Sequence, residues 1–290
     1  MMRSLFAAIS GLRAHQTMLD VTANDIANVN TVGFKGSRTS FKDALSQVQS
    51  GASGPSTTLG GTNAQQIGLG VQTGAITNLT GSGAIQSTGN PLDLAVQGTG
   101  WFRVASILTP GAPPVFGTVQ YTRAGNFTTD ASGNLVTQDG LYVLGDAATA
   151  QGPPPVFGPP GISDSQMTVP PVATSLSIGQ DGVVNYVDST TGITVALAQL
   201  TLAKFPNEQG LQRVAGTKFV ESQNSGAPVV GVPGDANGLG TLASGSLEMS
   251  NVDLAAEFTN MIEAQRGFQA NGRVISTADQ MLQDLVNLGR

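Results

Sequence analysis

Residues 5–26 read LFAAISGLRAHQTMLDVTANDI, and their spacing sets the architecture of the whole chain. Leu5, Ile9, Leu12, Gln16, Leu19, Ala23 and Ile26 recur at alternating steps of four and three. That is a seven-residue repeat with one polar member, the pattern of a narrow helical seam suited to coiled-coil packing. Only Gly11 interrupts it, and the helix is predicted to stop near Asn28-Val29-Asn30, ahead of Gly33. The far end of the chain repeats the pattern. Leu254, Phe258, Met261, Gln265, Phe268, Gly272 and Ile275 step by four and three, and Ala278, Leu282 and Leu285 continue the stripe. Ser250, with Asp253 three residues on, predicts an N-cap at Ser250 and a helix from about Asn251 to Asn287.

The middle is different in kind. Gly, Pro, Ser, Thr and Asn dominate residues 49–62, and short alternating runs separated by turn signals follow. Leu92 to Val96 alternates ahead of Gly98-Thr99-Gly100, and Phe127-Thr128-Thr129 and Leu135-Val136-Thr137 flank an Asp130 to Asn134 turn. Ser175–Ile178 and Val183–Val187 flank Gln180-Asp181-Gly182, a strong hairpin signal. Ile193 to Ala203 reads as one long strand, and Pro153-Pro154-Pro155 with Pro159-Pro160 marks an irregular loop. The predicted class is therefore α+β, with terminal helices forming a coiled-coil domain and a mainly-β domain inserted between them. The predicted segments are an N-terminal helix over 1–30, an extended/β linker region over 31–90, a β-rich outer domain over 91–225, a return linker over 226–249 and a C-terminal helix over 250–290. A long apolar seam does not stay exposed in water, so the other terminus or a neighbouring subunit must cover it.

Composition narrows the function. Of 290 residues, 40% are hydrophobic but only 11% are charged, against about 25% in ordinary globular proteins. A surface so poor in charge is either buried against further copies or coated with Ser, Thr, Asn and Gln. The net charge is −6 with no basic patch, which argues against nucleic acid. There is no cysteine, so disulfides, thiolate metal sites and cysteine nucleophiles are excluded. No apolar run reaches 18 residues, and Met1 to Leu12 lacks the pattern of a cleaved signal peptide. A membrane span is not expected, and any export must use another route.

Catalytic readings are weak. His15 stands on a helix between Ala14 and Gln16 without neighbouring carboxylates. The Asp130 loop lacks the later glutamate of a calcium loop and reads as a turn, and Gly98-Thr99-Gly100 lacks the Lys-Ser/Thr of a phosphate loop. The scattered Asp residues of the β region show no paired spacing for glycan hydrolysis, which leaves a cell-wall hydrolase or an adhesin as distant alternatives. No catalytic residue, cofactor or metal is assigned. Gln16 and Gln265, each the amide in an apolar stripe, are either solvated or a device that fixes helix register.

Three blocks carry a resemblance. Ala23-Asn24-Asp25-Ile26-Ala27-Asn28-Val29-Asn30-Thr31-Val32-Gly33-Phe34-Lys35 resembles the N-terminal signature of the bacterial flagellar rod and hook family; its motif residues are Asn24, Ile26, Ala27, Asn28, Thr31, Gly33, Phe34 and Lys35. Residues 89–102, GNPLDLAVQGTGWF, resemble the second shared block, with Trp101 where Phe is more usual. Ser250 through Phe268 and on to Leu282 resembles the C-terminal block. Gly60-Gly61-Thr62-Asn63, with Gln66 to Val71 and Thr88 to Asp93, looks more like a hook protein; a distal-rod protein is the alternative. The resemblance implies a non-enzymatic subunit of a tubular homopolymer that lines an export channel, passes torque from motor to filament, and leaves the cell through the flagellar type III apparatus. Its implied partners are further copies, rod proteins, the hook cap and the hook–filament junction. The subunit contacts would lie along the stripes Leu5, Ile9, Leu12, Gln16, Leu19, Ile26 and Leu254, Phe258, Met261, Gln265, Phe268, Ile275, Leu282, Leu285.

Overall fold

The computed structural model describes residues 2–55, 60–109, 114–150, 156–159, 164–189, 192–235 and 237–289. The predicted Pro153–Pro155 loop lies outside them. The chain divides into two units: residues 1–27, 37–78 and 252–290 form the first, and residues 28–36 and 79–251 form the second.

The first unit contains both helices, α1 (Met2–Ala27) and α2 (Leu254–Leu288). The cap of α2 is Asp253, whose carboxylate accepts from the Ala255 N–H at 2.9 Å and the Ala256 N–H at 3.4 Å, so the predicted cap at Ser250 is corrected by three residues. Both residue types cap helices, and Asp adds a charge that the helix N-terminus favours. The helices run antiparallel, with Gly11 opposite Asn271 and His15 opposite Gly267. Their buried residues are small or polar: Ala8, Gly11, Ala14, Thr22 and Asp25 on α1, Ala264 and Ala278 on α2. Small side chains let helix backbones approach closely, so this contact is built on fit more than on apolar area.

Within the extended/β linker region expected over 31–90, residues 37–50 and 65–78 form a two-stranded ribbon. Ser37–Asp43 pairs antiparallel with Val71–Asn78, with a bulge at Ser40/Phe41, and Ser46–Ser50 pairs with Gln65–Gly68. The ribbon is fastened to α1. The buried Asp25 carboxylate accepts from the Ser37 N–H at 2.8 Å, the Ser10 hydroxyl accepts from the Val71 N–H at 3.2 Å, and the His15 ring meets Phe41 edge-on at 5.7 Å.

In the second unit, fourteen of the described strands join one sheet. Its main path runs Ala173–Ile178, Val183–Asp188, Thr194–Leu200, Tyr142–Ala150, Trp101–Ala105, Gln120–Thr122, Lys218–Val220, Gln212–Arg213, each neighbour antiparallel. Asp181-Gly182 turns the predicted hairpin. The strand predicted over 193–203 is instead two, Thr194–Leu200 and Leu202–Lys204, broken at Thr201. Leu200 pairs with the strand holding Gly145, and Leu202 pairs with Phe102 of the next strand, so the chain changes partner at the break. The Asp130 loop is a turn: its carboxylate accepts from the Ser132 and Asn134 N–H groups and the Asn134 amide, which holds Asp130 below the usual carboxylate range. One core gathers Leu94, Phe102, Phe127, Val143, Leu200 and Leu202; a second gathers Trp101, Tyr121, Phe205 and Phe219. Rings pack edge to face in both, Phe102 on Phe127 at 5.2 Å and Trp101 on Phe219 at 5.0 Å.

Candidate functional site

The candidate contact stripes lie on the first unit. The most buried helix residues are small or polar, and the larger side chains of the predicted stripes are exposed or partly buried. Phe258 is 51% exposed, Leu285 53%, and Ile9, Leu254, Phe268 and Leu282 are each near 40%. Leu5, Leu12, Leu19, Ile26, Met261 and Ile275 are partly buried. Gln16 and Gln265 are both exposed, as are Asn24 and Ala27 of the family motif. Phe6 and Ile262, absent from the predicted stripes, are exposed too, at 64% and 50%. The buried helix positions include Ala8, Gly11, Ala14, Ala264 and Ala278, which a search for large hydrophobic residues passes over. A continuous set of large apolar residues on helices is a surface with an unmet partner.

The rest of the family motif lies in the second unit. The Thr31 hydroxyl donates to the Asn28 side chain at 3.1 Å, making the turn after α1. Gly33 has φ +67 and lies against the backbone of Arg123 and Ala124, where no Cβ fits, so both conformation and space require glycine. Phe34 is buried with the Arg213 guanidinium 4.8 Å over its ring, and Arg213 donates to the Lys35 carbonyl. Lys35 is fully buried. Its ammonium donates to Glu248 at 2.6 Å and to the Gly81 carbonyl at 2.8 Å. The other Glu248 oxygen accepts from Arg123 at 3.2 Å, and Arg123 lies 5.4 Å over Trp101 while donating to the Gly98 carbonyl. Burial pulls the Lys35 ammonium below the usual lysine range, and Glu248 counters it. Sequence reasoning missed Glu248, Arg123 and Arg213; a lone acid within the run Ser246-Leu247-Glu248-Met249 was the available signal.

A second buried charge group lies in the same unit. Arg103 donates to both oxygens of Asp164, at 2.6 and 2.5 Å, and to Thr201 at 3.2 Å. Asp146 faces Asp164 across neighbouring strands, is fully buried, and has neither oxygen hydrogen-bonded among the described residues. Burial, then the charge of Asp164, push the Asp146 carboxyl up to about 6, with Arg103 pulling the other way. Among the described residues no group of three or more His, Cys, Asp or Glu is placed to hold a metal, and no helix is long and apolar enough to cross a membrane.

Comparison with known proteins covers the chain in three parts. Residues 5–35 match the family described as flagella basal body rod protein, residues 95–186 the D1 domain of flagellar hook protein FlgE/F/G, and residues 243–288 the C-terminal region of flagellar basal body rod FlgEFG protein. The flagellar basal-body rod protein FlgG of Bacillus subtilis is 47% identical over the whole of both chains, and that of Caulobacter vibrioides 39% over 97% of each. The flagellar hook protein FlgE of Borreliella burgdorferi is 30% identical over 99% of this chain and all of its own. The molecule is thus a structural subunit of the bacterial flagellar axis and not an enzyme. The chain belongs to the FlgE/F/G family of flagellar rod and hook proteins.

Proposed function

We propose that this chain is a distal rod subunit of the flagellar basal body. The observation that carries the reading is end-to-end alignment with rod proteins. The Bacillus subtilis relative aligns over 291 positions, while the hook relative aligns over 450 positions against the 290 residues here. That length difference supports the rod over the hook reading drawn from Gly60 to Val71 and Thr88 to Asp93. Subunits polymerise through the apolar helix residues left outside the intrachain contact, Phe258, Phe268, Leu282 and Leu285 among them, against neighbouring copies. Torque passes along the polymer, and the subunit reaches its place by the flagellar type III route. An epitope-tagged chain located by labelled electron microscopy of isolated basal bodies tests the assignment. Label within the ring-bearing part of the basal body is the expected result; label on the hook outside it refutes the rod.

A further inference from the structure

Three stretches carry the chain into and out of the β unit: residues 28–36, the run that resumes at Leu79, and the run that ends at Asn251. Each is hydrogen-bonded to the others. The Asn251 side chain accepts from the Gly36 N–H at 2.9 Å and donates to the carbonyls of Leu79 at 2.8 Å and Gly81 at 3.0 Å. The Leu79 N–H donates to the Gly36 carbonyl at 2.8 Å. Glu248 does the same work one strand earlier. Its carboxylate holds Lys35 and the Gly83 N–H, the latter at 2.9 Å, and its carbonyl accepts from the Gly33 N–H at 2.8 Å.

These partners are up to 215 residues apart, so nothing local brings them together. Stability alone is a poor reason for the arrangement, because desolvating buried charges offsets most of their attraction. What such pairing supplies is registry: a slip of one stretch against another strands a buried ammonium, guanidinium or carboxylate without its partner. The Asn251 amide is committed in the same way, with its oxygen on one stretch and its nitrogen on another.

We infer that Glu248 and Asn251 are positioning residues that clamp the three stretches into one body, so that mechanical load on any one of them is shared by all. The clamp does not depend on whether the polymer is rod or hook. Native-state hydrogen exchange on the full-length chain reads it amide by amide, with Trp101 fluorescence reporting the fold of the β unit. Asn251→Ala speeds exchange at Gly36 and Leu79 by roughly tenfold, while amides of Trp101–Ala105 and the Trp101 melting curve stay unchanged. Asn251→Asp, which keeps the acceptor and loses the donors, restores Gly36 only. Lys35→Met speeds exchange at Gly33 and Gly83. In cells, Asn251→Ala yields basal bodies in normal number that turn tethered cells more slowly. Unchanged exchange at Gly36 and Leu79 would overturn the clamp, as would loosening of the whole sheet in proportion. Wild-type rotation alongside loosened amides would overturn its mechanical role.

Discussion

Asp146 offers a quantitative test of how the β unit is held together. Its carboxyl has an ordinary value of 3.8 and is raised to about 6 in the folded chain. The folded state therefore binds more protons than the unfolded state between these values, and stability falls as pH rises through them. Below the lower value the group costs nothing; above the upper value its ionised form costs the full difference. Two pKa units correspond to about 3 kcal/mol. Asp146→Asn removes the titration but buries an amide NH2 group, which costs about 1–3 kcal/mol if it finds no acceptor. The sign at any single pH thus depends on the amide, but the change between two pH values does not. Relative to wild type, the variant should gain about 2–2.5 kcal/mol between pH 4 and pH 7.5. The assay is urea unfolding followed by the single tryptophan, Trp101, which is fully buried in this unit. Subtracting the two curves cancels the titrating groups that do not interact with Asp146. Parallel pH profiles for wild type and variant would refute the account, because the carboxyl would then ionise at its ordinary value.

Two predictions concern the helices. Leu282→Asp should leave the isolated subunit folded, since Leu282 is 38% exposed there, but should block polymerisation and motility, because an unpaired carboxylate in a dry contact costs several kcal/mol; normal rods in the mutant would place residue 282 outside any buried contact. Gly267→Ala should loosen the helix pair, although alanine ordinarily favours a helix by about 1 kcal/mol, because the new Cβ would lie 2.5 Å from the His15 ring. His15→Ala should restore the pair, read as protease resistance of α2, and a failure to rescue would show that the ring is not the obstacle.

Much of this fold is legible in the chain, for reasons that also explain the misses. The helices announce themselves because their stripes run for many turns, and the hairpin at Asp181-Gly182 because its turn chemistry is local. The buried positions of the helices were less legible. Periodicity weights large apolar residues, whereas close backbone approach selects Ala8, Gly11 and Ala264 for size. The ribbon falls in the segment expected as an extended/β linker; Ser, Thr and Gln alternate there with few apolar residues, so its fastening to α1, as in the contact of Asp25 with Ser37, has no local signal. The break at Thr201 falls inside an unbroken run of strand formers and is set by a change of pairing partner, which is a long-range fact. The motif Gly33-Phe34-Lys35 could be found, but its counterion could not, since Lys35 and Glu248 are 213 positions apart.

That separation also orders events in time. Whenever the chain is delivered N-terminus first, Lys35 and Arg123 emerge long before the carboxylate that neutralises them both. Until Glu248 arrives, packing the first core strands around Trp101 would trap two unmatched cations, so early collapse is penalised and the partly delivered chain stays thread-like. On such delivery the strand carrying Glu248 would act as a latch, because the cations it neutralises would wait for it.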